Sequence, residues 1–350
     1  MSLKKRLSAA LLGASLLAAP FLAKPAQAAS PGVLHIYNWS DYTAPDLIAK
    51  FTKETGIKVT LDTYDSNETL LAKLKVGGSG YDIIVVSNDF VPIFVKQHLI
   101  QKIDAASLPN FKNLDPRWQH RDWDPNAEYT VPWQWGTTSF AYDAKVYPGP
   151  VDSLATLFKP PAEFGNNVGM FGSPSEVISL ALLYLNKPQC NTNPADLKQI
   201  VALLQAQKPR VKIYSSDGVF DRLASGDTSI SEIWSGAAFR ARSQRASVRY
   251  VYPKEGVIGW MDNIAVPTGA PDLDNAKKFL DFMMDAQNAA IETNFAGYSN
   301  AVPASLPYLT PALASSPELN PPKDVKMIFA SVCPAQATKD YDRVWTLIRQ

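Results

Sequence analysis

Residues 33–87 constrain the fold most, because strand-like and helix-like segments alternate there with short connections. Val33–Asn38 reads as a strand. Pro45–Thr55 reads as a helix, with Leu47, Ile48 and Phe51 on one face and Gly56 as its stop. Ile57–Leu61 alternates as a second strand, and Asp65–Lys75 forms a second helix with Asp65 and Glu68 at capping-box spacing. Gly77-Gly78-Ser79-Gly80 then turns the chain into Tyr81–Ser87, an apolar run suited to a strand buried on both faces of a sheet. This β-α-β-α-β order begins a doubly wound α/β domain. The glycines precede a strand instead of joining strand to helix, which is the wrong context for a phosphate loop.

Ahead of this region lie Lys4-Lys5-Arg6, an apolar run from Leu11 to Leu22, and Ala26-Gln27-Ala28. A basic start, a short apolar core and an A-x-A site predict a cleaved secretory leader over residues 1–28, with the mature chain starting near Ala29. The run is too short, and broken by Pro20, to remain as a membrane span. The leader carries four bases (Lys4, Lys5, Arg6, Lys24) and no acid, so its loss takes the formal charge from +1 to −3. A mildly acidic exported chain has no basic field to hold nucleic acid. About 320 mature residues exceed a comfortable single core, so two domains are expected. Cys190 and Cys333, two cysteines in an exported chain, point to one disulfide, with two unrelated free thiols as the alternative. With no third Cys or suitably spaced His, no zinc site is expected.

From Pro109 to Pro132 the chain is rich in Asn, Asp, Pro and Trp and reads as a long irregular connection, followed by a crossing segment over Val131–Thr138. A second α/β region has predicted helices at Ser175–Leu185 and Pro194–Ala206. Its predicted strands lie near Val211–Tyr214, Thr228–Trp234 and Arg249–Tyr252. Gly259–Pro267 is a further strand-like run, and Leu273–Asp285 an amphipathic helix with Phe279, Leu280, Met283 and Met284 on one side.

The motifs of common enzymes are missing. His35, His98 and His120 lack metal-ligand spacing, and His35 reads as structural within the first strand. There is no G-x-S-x-G elbow, no H-E-x-x-H, and no His beside either cysteine. Carboxylate pairs for glycoside chemistry look no different from solvated acids. An enzyme is therefore the weak reading, and no cofactor is expected.

What recurs is an aromatic ring near a predicted strand end, most often with an acid. The clusters are Trp39-Ser40-Asp41-Tyr42, Ser87-Asn88-Asp89-Phe90, Trp234-Ser235-Gly236, Trp260-Met261-Asp262 and Gly297-Tyr298. Strand ends that open onto loops are where α/β proteins place ligand groups, and rings beside a carboxylate suit an organic ammonium. The plain alternative makes Trp39 and Tyr42 core aromatics and Asp41 a helix N-cap. Five such clusters favour a cleft between two lobes.

Leu34–Asp46, Phe51–Val59, Asp65–Glu68, Tyr81–Ile83 and Asn113–Pro116 together resemble the polyamine-binding proteins of bacterial ABC importers. The resemblance continues through Pro132–Thr137, Glu176-Val177, Ile233-Trp234, Pro253–Gly256, Trp260–Asp262 and Asp342–Trp345, in order along almost the whole mature chain. It implies an α/β, two-lobed periplasmic binding protein of the type II kind, each lobe a mixed sheet flanked by helices, with crossing hinge segments. One lobe would hold residues 29–135 and 262–307, the other 136–261 and 308–350, with both cysteines in the second.

By the same resemblance Trp39, Asp41 and Tyr42, together with the neighbouring Ser40, and Ser87 would contact ligand from the first lobe. Glu176 would do so from the second, Trp234 and Trp260 would form aromatic walls, Asp262 would hold an amine, and Tyr298 would close the site. Ser173 stands where spermidine-type members carry an acid, Ala237 where putrescine-type members do, and Asp89 where an aromatic or small residue is common. Asp89 is either a relocated counter-charge or an N-cap for a helix from Phe90.

The implied function is capture of a linear polyamine, putrescine or spermidine, in the periplasm and delivery to an inner-membrane ABC permease by a monomer. The same fold diverged toward another small organic cation or an amino-acid-like solute is the alternative. A secreted enzyme or sensor component on this scaffold is the third reading.

Overall fold

The computed structural model describes residues 32–350, and the predicted leader lies outside them. Strands β1 (Val33–Trp39), β2 (Lys58–Tyr64) and β3 (Ile83–Ser87) pair in parallel in the order β2-β1-β3. The helices Pro45–Thr55 and Asn67–Lys75 are the crossovers. All five residues of β3 are buried, as its unbroken apolar run requires. Gly56 ends the first helix in a left-handed conformation, φ 74°, its N–H returning to the carbonyl of Thr52. The second helix corrects the expected capping box. Its N-cap is Ser66, which accepts from the Thr69 amide, while Asp65 only receives the Thr69 hydroxyl at 3.3 Å. Glu68 is thereby free of the cap and turns elsewhere.

The remaining strands are β4 (Thr130–Asp143), β5 (Val168–Met170), β6 (Val211–Tyr214), β7 (Ile230–Trp234) and β8 (Val248–Val251), then β9 (Val257–Ala265), β10 (Ser299–Asn300) and β11 (Met327–Phe329). Among the described residues they form one mixed sheet ordered β2-β1-β3-β9-β4-β7-β5-β6, with β8 and β10 on β4 and β11 on β9. The segment before β4 is irregular, as its composition implies, broken only by two 3₁₀ turns and a helix at Pro116–Gln119.

Two hydrophobic cores divide this sheet between them. One gathers Leu34, Phe51, Phe94, Val131, Ile264 and Phe279; the other gathers Phe140, Phe158, Phe171, Leu180, Ile233 and Tyr341. Strand β4 gives Val131 and Trp133 to the first and Phe140 and Ala141 to the second. Strand β9 likewise gives Met261 and Ile264 to the first and Ile258 to the second. Trp234 packs against both. A Cys190–Cys333 disulfide joins positions 143 apart in sequence, and both cysteines pack on the second core. Among the described residues no helix is long and apolar enough to cross a membrane.

Candidate functional site

Between the ends of β1, β3 and β7 and the middle of β9 lies a cavity of about 100 Å³, lined by all eleven residues singled out from the sequence. Strand β1 brings Trp39, Ser40, Asp41 and Tyr42 to it through a tight turn. Asp41 adopts φ +57°, a left-handed conformation that Asp tolerates better than most residues. The Asn38 amide donates to the Thr43 hydroxyl at 2.6 Å, and Ser40 donates its N–H to the Tyr64 carbonyl. The next amide, Ala44, donates to both oxygens of the buried Glu292 carboxylate, at 3.1 and 3.2 Å. The helix that follows begins from Ala44, so Asp41 is not its N-cap.

Asp262 and Ser87 are opposite each other in the antiparallel β3–β9 register, which brings the Ser87 hydroxyl to 2.6 Å from the carboxylate it donates to. Trp260 lies two residues earlier on β9 and therefore on the same face. Its ring meets Tyr298 edge-on at 5.2 Å, and Tyr298 in turn packs on Tyr42 at 5.2 Å. On the opposite wall Trp234 stacks on Phe171 at 4.3 Å, and its indole N–H donates to Glu176 at 2.9 Å. Trp39 bridges the two walls, 6.5 Å from Trp234 and 4.5 Å from Tyr64.

Glu176 stands in the first turn of the helix Pro174–Tyr184, whose N-cap is Ser173. Ser173 therefore caps that helix instead of lining the cavity. Asp89 lines it, and the short helix Val91–Lys96 that follows is entered through Phe90 without a side-chain cap. Ala237 also lines the cavity.

The electrostatics follow from burial. Asp262, only 4% exposed, is pushed up to about 6 by desolvation, with the Ser87 hydrogen bond opposing. Asp89 is pushed up to about 7 by desolvation and then by the charge of Glu68. Glu176 is held well above the usual carboxylate range, mainly by desolvation, with its Trp234 hydrogen bond opposing. Among the described residues none of these three acids is in an ion pair, whereas the buried acids Asp143 and Glu318 each have an arginine. Nor is any group of three His, Cys, Asp or Glu among them arranged to hold a metal. Acids that burial penalises, set among π-faces, are stabilised by a cation that enters with an apolar spacer.

Sequence reasoning missed some of the site. Glu68 reaches across to accept from Ser175 at 2.8 Å, joining the second helix to the start of Pro174–Tyr184. Glu68 itself does not line the cavity, whereas Tyr64 and Arg240 do. Tyr64 had a signal, since it ends β2 beside the end of β1. Glu68 and Arg240 had none outside the fold.

Residues 46–321 match the family described as bacterial extracellular solute-binding protein. The chain is 37% identical, over 99% of its length and 99% of the relative's, to the putrescine-binding periplasmic protein SpuD of Pseudomonas aeruginosa. It is 36% identical to the spermidine/putrescine-binding periplasmic protein of Escherichia coli, covering 91% of this chain and 90% of that one. Among solved structures, a putative spermidine/putrescine ABC transporter protein from Listeria monocytogenes superposes with a TM-score of 0.86 at 31% identity. That match covers 91% of this chain and 99% of the other.

Proposed function

The chain belongs to the bacterial extracellular solute-binding proteins, and from that premise we propose that it captures a linear polyamine, putrescine or spermidine. The ligand would lie in the cavity between Trp39, Trp234, Trp260 and Tyr298, its ammonium groups on Asp262, Glu176 and Asp89. The observation that carries this reading is the set of three desolvated acids with no cationic partner among the described residues. A dication linked by methylenes meets both demands, since charge answers the acids and the chain lies on the rings. Asp41, Ser40, Tyr42 and Ser87 complete the wall that would orient it.

In this reading the two cores belong to two lobes, residues 29–135 with 262–307 and residues 136–261 with 308–350. These lobes close over the ligand and present it, as a periplasmic monomer, to an inner-membrane ABC permease. The names of the relatives support the ligand class, and the cavity supports its charge.

Thermal shift with putrescine, spermidine, and cationic and neutral amino acids tests the proposal. A polyamine at a hundred times its dissociation constant should stabilise the protein by about 2.7 kcal/mol. A shift with amino acids alone would replace the polyamine with an amino-acid-like solute.

A further inference from the structure

Arg240 lies on the helix Ser235–Gln244, three residues beyond Ala237, and both side chains line the cavity. Residues three apart share a helix face, so this face of the helix offers the ligand a methyl group and a guanidinium, and no acid of its own. The guanidinium is held in place. Its Nη1 donates to the Asp41 carbonyl at 3.1 Å, and it lies 3.8 Å from the centre of the Phe220 ring. The acids of the cavity come from other elements: Asp262 from β9, Asp89 from beyond β3, Glu176 from Pro174–Tyr184, and Asp41, Asp65 and Asp217 from the connections after β1, β2 and β6.

A cleft built for a polycation thus contains a fixed cation of its own. On the polyamine reading, we infer that Arg240 is a specificity-determining residue that restricts the ligand to two ammonium groups by repelling a third at this wall. Any third ammonium drawn toward the Asp41 turn must also sit beside the guanidinium bonded to that turn. Like charges a few ångströms apart cost about fivefold in affinity even in water, and more where water is excluded.

The test compares spermidine with N-butylputrescine, which has the same length but ends in a methyl group instead of the third amine. Calorimetric titration of the mature protein should show N-butylputrescine bound at least about fivefold tighter than spermidine. Arg240→Gln should abolish that preference, and Arg240→Lys, which keeps the charge, should retain it. Were Arg240 only a clasp on the Asp41 carbonyl, Arg240→Gln would weaken both ligands alike and leave their ratio unchanged, which overturns the inference. Failure of putrescine and both longer ligands to bind the unmodified protein would instead overturn the polyamine reading, and the inference with it.

Discussion

Gly136 passes beneath Trp260 so closely that a Cβ on the glycine would stand 2.7 Å from the indole. The two are register partners across β4 and β9, and the same Cβ would stand 2.9 Å from the Ser235 hydroxyl. The missing side chain is what lets the indole lie down on the sheet beside Tyr298. Gly136→Ala should tilt Trp260 and weaken putrescine binding by about 0.5–2 kcal/mol, the worth of a ring–cation contact. Overpacking should cost a further 1–3 kcal/mol or so of fold stability. Titration and chemical unfolding measure the two separately, and unchanged affinity would place Trp260 outside the ligand's reach.

Asp262 is expected to matter more than Trp260. Asp262→Asn keeps the shape but leaves an ammonium in the cavity without its counter-charge, for a loss of roughly 2–5 kcal/mol in binding. Trp260→Leu should cost less. Wild-type affinity in Asp262→Asn, together with a destabilised ligand-free protein in Trp260→Leu, would make the pair mere lobe packing.

Binding should depend on pH. Burial pushes Asp262 up to about 6 and Asp89 up to about 7, and a bound ammonium favours their ionised forms. Affinity is therefore full above about pH 7 and falls as pH drops through 7 and 6. The ligand-free fold responds in the opposite sense. Because these pKa values are raised on folding, the acids' contribution to stability is complete below their unfolded pKa and is lost as pH rises through about 6 and 7. The increase in Tm given by putrescine is expected to be larger at pH 8 than at pH 5; equal increments would contradict a role for these acids.

Reduction of the Cys190–Cys333 bond should lower stability while leaving affinity nearly intact, because neither cysteine lines the cavity. A closed loop of this length constrains the unfolded chain by about 4–5 kcal/mol in the loop-entropy model. Unfolding curves with and without reductant, or of Cys190→Ser with Cys333→Ser, measure the difference.

Ligand should also draw the two cores together, since the acids and rings of the cavity come from elements packed on each. The Ser175–Glu68 and Arg240–Asp41 contacts span the same division. Small-angle scattering should show a smaller radius of gyration with putrescine than without, and an equal radius at saturation would indicate a site that is already closed.

Residues whose role follows from local pattern were legible in the chain. Tyr81–Ser87 read as a buried strand because both its faces are covered, and Leu47, Ile48 and Phe51 with Gly56 marked a helix and its end. Trp39 and Asp41 stood out because they fall at or near a strand end; Trp260 and Asp262 were expected at one too, but they stand fourth and sixth of the nine residues of β9. Glu68 was misread because a capping box is a local pattern, whereas its partner Ser175 is 107 positions away and leaves no periodic trace. Arg240 was missed because its helix opens Ser235-Gly236-Ala237-Ala238, with no apolar stripe to announce it. Gly236 is there so that Tyr298 and Gly297 can approach it: a Cβ would lie 2.5 Å from the tyrosine ring and 2.7 Å from the glycine carbonyl.

Strands β4 and β9 each bury one end in the first core and the other end in the second. A cut through either strand would strip both halves at once, so neither half should persist as a fragment. New chain termini in a permuted version would be tolerated only in surface connections such as Gly77–Gly80, where added atoms at the three glycines meet open space.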